Sequence, residues 1–212
     1  MKVSECMKTE RYLALLVLLL LISSVVFITR KEVVDSAAPV FLADYQRHIQ
    51  ALRSLKSAGR LVLHEGLPHQ TYEREYKTEL EKKTYEEIHG YPFYVETLAL
   101  EAHDLSRLKA MFDSEKTFQP ATGAGKTCGD FHPDYCLEWT VRDAKPCYCL
   151  LCFGCNEVRF YQGFRDLRCD LGDRDVGHEL YSILCKYQKN RPQTEYLKKL
   201  IDWGKSYSNS PK

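Results

Sequence analysis

The residues that could do chemistry crowd into one stretch, Cys128 to Cys155 (CGDFHPDYCLEWTVRDAKPCYCLLCFGC), which holds six of the nine cysteines together with His132 and Asp134. Cys152-Phe-Gly-Cys155 is a Cys-x-x-Cys, and that spacing serves three chemistries. Two thiolates so placed reach one Zn²⁺, and Cys128-x-x-x-His132 upstream would complete a tetrahedral set of Cys128, His132, Cys152 and Cys155. The same pair forms a small strained disulfide that shuttles electrons when a cation or a helix N-terminus lowers one thiol pKa. Otherwise each sulfur is structural, either buried or bonded to a distant cysteine. Cys136, Cys147 and Cys149 lie in the same stretch. A dedicated zinc site rarely tolerates spare thiols that close, so the structural reading leads and zinc, the one cofactor considered, is its alternative.

His132-Pro133-Asp134-Tyr135 places a histidine beside a carboxylate, the pairing of a general base for hydrolysis. The same residues fit a turn better. His before Pro must be extended, Asp caps the turn and Tyr opens a strand. No catalytic residue is therefore assigned, and the balance leans away from an enzyme. His64-Glu-Gly-Leu-Pro-His69 has the look of a zincin helix motif but fails it. Its histidines are five apart, and Gly66 and Pro68 exclude the helix that would align them, so it reads as a loop. Gly125-Lys126-Thr127 ends like a phosphate loop, but Pro120 stands where the first glycine belongs. Cys-Gly-Asp-Phe-His-Pro follows instead of a helix, so no dipole would face a phosphate.

The elements that must position these residues are legible in hydrophobic periodicity. Leu137, Trp139 and Val141 alternate with Glu138, Thr140 and Arg142, as a half-buried strand does. Asp143 to Pro146 turns the chain. Cys147 to Phe153 is apolar throughout, as a strand covered on both faces would be. Val158 and Phe160 resume alternation, and residues 164–171 add an edge strand. The expectation is an α+β fold, with an antiparallel meander over about residues 134–170 braced by several helices. Helices are predicted for Pro39 to Ser57, Tyr72 to Ile88, His103 to Ser114, from Asp173, and from Asn190 with Pro192 near its first turn. The Glu73–Lys77 and Glu79–Lys83 pairs in the second of these read as a solvated face. Arg60 to Leu63 and Tyr91 to Val95 read as strands.

The first 31 residues stand apart. Leu13 to Ile28 is uncharged and almost wholly apolar, flanked by Lys2, Lys8 and Arg11 before and Arg30 and Lys31 after. With its neighbours it is just long enough to span a bilayer, and longer than the apolar core of a cleaved signal peptide. The organisation expected is a short tail over 1–11, an anchor or signal segment over 12–30, one globular domain over 37–205 and a disordered tail over 206–212. The remaining body has a formal charge of −2. So near-neutral a body argues against a nucleic-acid partner and supplies no polybasic patch for lipid. Membrane contact is expected through the N-terminal helix alone, with the body extracytoplasmic, on the periplasmic side.

Eight cysteines lie between Cys128 and Cys185, an even number compatible with up to four disulfides in an oxidising compartment. Cys147 and Cys149 share a strand face and Cys152 takes the other, with Cys136 a candidate cross-strand partner for one of them. The run Cys-Gly-x-Phe-His-Pro-Asp-Tyr (128–135) followed by Leu-x-Cys-Phe-Gly-Cys (150–155) resembles an uncharacterised bacterial family of planctomycete type. Glu65-Gly-Leu-Pro-His69 and Tyr91-Pro-Phe-Tyr94 share in the likeness, which covers roughly residues 60 to 170. The resemblance implies no activity. The functional expectation is a membrane-anchored binding or envelope-associated module whose partner is a protein or a small ligand. The alternative is a thiol-based activity, as a zinc site or a redox pair.

Overall fold

The computed structural model describes residues 42–71, 73–122, 131–142 and 144–208, apart from the side chains of Arg174 and of residues 203–208. Cys128 and the predicted anchor over 12–30 fall outside them. No helix among the described residues is long and apolar enough to cross a membrane.

The meander forms where alternation predicts it. β5 (Tyr135–Thr140), β6 (Cys147–Cys152), β7 (Glu157–Gln162) and β8 (Arg165–Leu171) pair antiparallel in sequence order. Leu137 faces Cys149, Cys149 faces Phe160 and Phe160 faces Leu167, so one alternating set lies on a single face. There it buries Leu52 of α1 (residues 42–53), Leu108 and Phe112 of α3 (Ala102–Asp113) and Leu180 of α4 (Arg174–Leu184). Each such side chain contributes about 1.5–3 kcal/mol on leaving water, so this helix-covered face is the main source of stability. Cys136, Leu150 and Cys152 point the other way, into a second cluster with Ile88, Phe93, Phe131 and Cys155. β6 is thus covered on both faces, as its unbroken apolar run requires.

The fold is α+β, with an eight-stranded sheet in the order β2-β3-β1-β5-β6-β7-β8-β4. β1 (Arg60–Gly66) lies between β3 (Tyr91–Leu98) and β5, and β2 (Tyr85–Ile88) forms one edge. β8 is not the edge expected, because β4 (Phe118–Pro120) pairs beyond it. A second correction concerns Tyr72 to Ile88, read as one helix. Only α2 (Glu75–Lys82) is helical, and Tyr85–Ile88 pairs with Tyr91–Tyr94 in a hairpin. The tight turn explains it. His89 (φ 52°) and Gly90 (φ 81°) take consecutive left-handed conformations, the requirement of a two-residue turn whose twist suits paired strands. A third is the last helix, α5 (Glu195–Ser208), which starts after Pro192. Thr194 caps it, its hydroxyl accepting the Leu197 N–H at 3.1 Å. α5 also runs into the stretch read as a tail. Asp173 caps α4 by accepting the Val176 N–H, as expected.

The sheet bends strongly. His89, at the tip of the β2–β3 hairpin, stacks on Tyr161 of β7 with ring centroids 3.9 Å apart and planes 9° apart. β1, β5 and β6 lie between those strands in the sheet, so the hairpin folds back over the second face. Buried His64 lies beside it, with Nε2 hydrogen-bonded to Glu138 of β5 at 3.0 Å and Nδ1 3.2 Å from Glu86 of β2. Between hairpin and sheet this curl leaves a cleft.

Six of the described cysteines, Cys136, Cys147, Cys149, Cys152, Cys155 and Cys169, are buried. Burial pushes the thiols of Cys136, Cys147, Cys149 and Cys169 up, which keeps them protonated and poorly nucleophilic. Cys136 lies directly opposite Leu150. It therefore faces away from Cys147 and Cys149, which excludes those two as cross-strand partners, and lies on the face of Cys152.

Candidate functional site

Three segments distant in sequence meet beside the end of β1: the loop after it (67–71, with 73 and 74), the run into β5 (131–134) and the loop before α5 (188–194). The close approach depends on Gly66. Its N–H donates to the Asp134 carbonyl at 2.9 Å, and a Cβ there would stand 2.1 Å from the Pro133 carbonyl oxygen.

A buried ionic network holds the segments together. Arg191 donates through Nη1 to Asp134 Oδ1 at 2.9 Å and through Nη2 to Glu73 Oε2. Burial alone would pull its guanidinium down, but the charges of Asp134 and Glu73 outweigh that and keep it protonated. Glu73 also accepts the Thr194 hydroxyl and the His69 N–H. Glu65 accepts the backbone N–H groups of Lys189 (3.2 Å), Asn190 (2.7 Å) and Arg191 (3.0 Å). These side chains are buried, and each carboxylate is satisfied by partners across the fold. Glu73 is therefore not part of the solvated face that its i,i+4 spacing with Lys77 suggests.

The network removes Asp134 from the role of partner to His132. One Asp134 oxygen takes Arg191 and the other takes the Phe153 N–H at 2.9 Å. His132 Nε2 lies 2.8 Å from the Leu67 carbonyl oxygen. That acceptor fixes the proton on Nε2 and leaves Nδ1 with its lone pair. Burial, with the nearby Arg191 charge and His69, lowers the His132 pKa to about 3, so the ring is neutral at physiological pH. The His69 ring lies 4.6 Å from it, also held below its ordinary pKa by burial. Thr71 N–H donates to His69 Nδ1 at 3.1 Å, which puts the neutral ring's proton on Nε2.

His132 is 7% exposed and opens on the cleft beneath the hairpin. The cleft measures about 350 Å³ and is lined by Gln70, Tyr76, Tyr91, Phe131, His132 and Arg159, among others. Arg159 is held in place from several sides. Its Nε donates to Glu157 at 3.1 Å and its Nη1 to the Tyr91 hydroxyl. Its guanidinium carbon lies 4.2 Å from the Phe131 ring centroid, a cation–π arrangement that limits its freedom.

Of the four residues of the expected zinc set, Cys128 lies outside the described residues. His132 faces Leu67 and the cleft, while Cys152 and Cys155 are buried in the second cluster with Phe131. Among the described residues no group of three His, Cys, Asp or Glu side chains could hold a metal ion. His64 and His69 take separate places, one on β1 bridging two carboxylates and the other in the following loop beside His132. The residues missed from sequence are Glu65, Glu73, Arg159 and Arg191. Glu65 stands before Gly-Leu-Pro and Arg191 before Pro192, whereas Glu73 and Arg159 carry no local signal of their own.

The low His132 pKa has a consequence for stability. The unfolded chain takes up a proton near the ordinary histidine pKa of about 6.5, whereas the folded chain refuses it down to about 3. Stability is expected to be unaffected by this group above pH 6.5 and to fall as pH drops from there toward 3, by roughly 3–5 kcal/mol in all. Urea titrations across that range check it against His132→Gln, which should flatten the slope. Equal slopes for both proteins would refute the assignment.

Comparison of the chain with protein-family models, with curated proteins and with solved structures finds no match.

Proposed function

We propose that the chain is a membrane-anchored, extracytoplasmic module that binds a small polar ligand in the cleft under the β2–β3 hairpin and performs no chemistry on it. One observation carries the reading. The Nε2 of His132 is committed to the Leu67 carbonyl, so Nδ1 carries the lone pair, and the ring borders an open cleft. A neutral imidazole with so low a pKa is a poor general base and a good acceptor, which favours binding over catalysis. The apolar run Leu13 to Ile28 supports the anchor.

The test is binding by the full chain. Backbone amide shifts of Gly90, Tyr91 and Phe131 should move on titration with a hydroxylated small molecule such as glycerol or glucose, and His132→Phe should weaken that binding about tenfold. If none of these amides responds to any polar small molecule, the cleft is not a binding site. Membrane fractionation of cells, with protease protection of the body, tests the anchored and extracytoplasmic part.

A second reading keeps Cys128, His132, Cys152 and Cys155 as a zinc site, or Cys152 and Cys155 as a redox pair. What favours it is that Cys152, Cys155 and Phe131, the neighbour of His132, share one buried cluster. Metal analysis giving one zinc per natively purified chain would establish the first form. A Cys152–Cys155 disulfide in the purified body would support the second.

A further inference from the structure

Resting on the binding reading, we infer that the ligand is a polyhydroxylated carboxylate of sugar-acid type, with its carboxylate on Arg159 and a hydroxyl donating to His132 Nδ1. The two groups that line the cleft with unmet capacity ask for opposite things. His132 offers a lone pair and no proton, so it takes an O–H or N–H and rejects an anion. Arg159 offers protons only. Its five N–H donors serve Glu157, Tyr91 and Tyr161 and retain capacity beyond them. Glu157 is shared, with Arg159 approaching one of its oxygens at 3.1 Å and Arg168 the other at 2.9 Å, and Asp170 lies opposite it in β8.

The cleft therefore has a cationic donor held on an aromatic ring and a neutral acceptor fixed by a backbone carbonyl. Arg159 suits a planar carboxylate, which a guanidinium can take through two parallel N–H bonds. Tyr76, Tyr91 and Gln70 add hydroxyl and amide groups to the wall, which favours further ligand hydroxyls over an apolar body. A volume of about 350 Å³ admits one hexose-sized molecule. A simple fatty acid leaves His132 unmet, and a neutral sugar leaves Arg159 unmet.

Glucuronate, glucose and acetate separate these contributions, with binding to the full chain read from the amide shifts of Gly90, Tyr91 and Phe131. Glucuronate is expected to bind at least tenfold more tightly than either glucose or acetate. Arg159→Gln should bring glucuronate down to the affinity that the same variant shows for glucose. His132→Phe should weaken both sugars about tenfold while their ratio persists. Equal binding of glucose and glucuronate, or an Arg159→Gln protein that still discriminates, overturns the ligand class while leaving the cleft a binding site. Silence of all three amides toward every probe overturns both. Circular dichroism and the urea midpoint of each variant exclude misfolding as the cause of a loss.

Discussion

Arg191→Ala is expected to destabilise the body by on the order of 3–5 kcal/mol, the magnitude for removing one partner from a buried ionic pair. The pair's attraction is only part of this. Asp134 and Glu73 remain behind, with side chains 1% and 0% exposed, and lose the one guanidinium that neutralises them. Both are then left as buried charges without a neutralising partner. The combined variant Glu73→Gln, Asp134→Asn, Arg191→Met should recover much of the stability, because replacing a buried ionic cluster with neutral groups of similar size is far less damaging than halving it. Urea unfolding of the three proteins decides. A loss below about 1 kcal/mol in the single variant would mean that the network does not carry the junction between the last loop and the sheet.

Gly66→Ala is expected to be at least as damaging, for a reason that involves no charge. A Cβ at residue 66 would lie 2.1 Å from the Pro133 carbonyl oxygen and 3.1 Å from that of Asp134. Both obstacles are backbone, so no side chain can rotate away, and either β1 or the 131–134 segment must move. Moving that segment also disturbs the Gly66 N–H to Asp134 bond, the seat of Asp134 beneath Arg191 and the His132 contact with Leu67. The variant should be destabilised by about 3 kcal/mol or more, or should fail to fold. Any fraction that folds should show no response at the Phe131 amide to glucuronate. Gly59→Ala is the control, because a Cβ there meets nothing within 4 Å. Equal stability of the two alanine variants would refute the packing argument.

The two variants act on the same junction, where sequence and structure part ways. Glu73 and Glu79 look alike in the chain. Each sits four residues before a lysine in a charged, helical-looking run. Yet Glu73 is buried under Arg191, while Glu79 accepts the Tyr94 hydroxyl at 2.7 Å. Nothing local separates a carboxylate that will be solvated from one that will be buried with a partner 118 residues away. His132 shows the same limit. It stands two residues from Asp134 in sequence, but each side chain finds its partner in a different distant segment.

By itself the sequence determined the α+β class, the meander with the alternation of its faces, the helices at residues 42–53, Ala102–Asp113 and Arg174–Leu184, and the double burial of Cys147–Cys152. These depend on periodicity over a few residues, which the hydrophobic effect reads directly. Only the tertiary structure decided that β1 inserts beside β5, that the β2–β3 hairpin curls back to set His89 on Tyr161, and that Glu65, Glu73 and Asp134 gather around the segment bearing Arg191. Strand order and the pairing of buried charges depend on which distant surfaces can be covered at once. That is a property of the packed chain as a whole, and no window of sequence contains it.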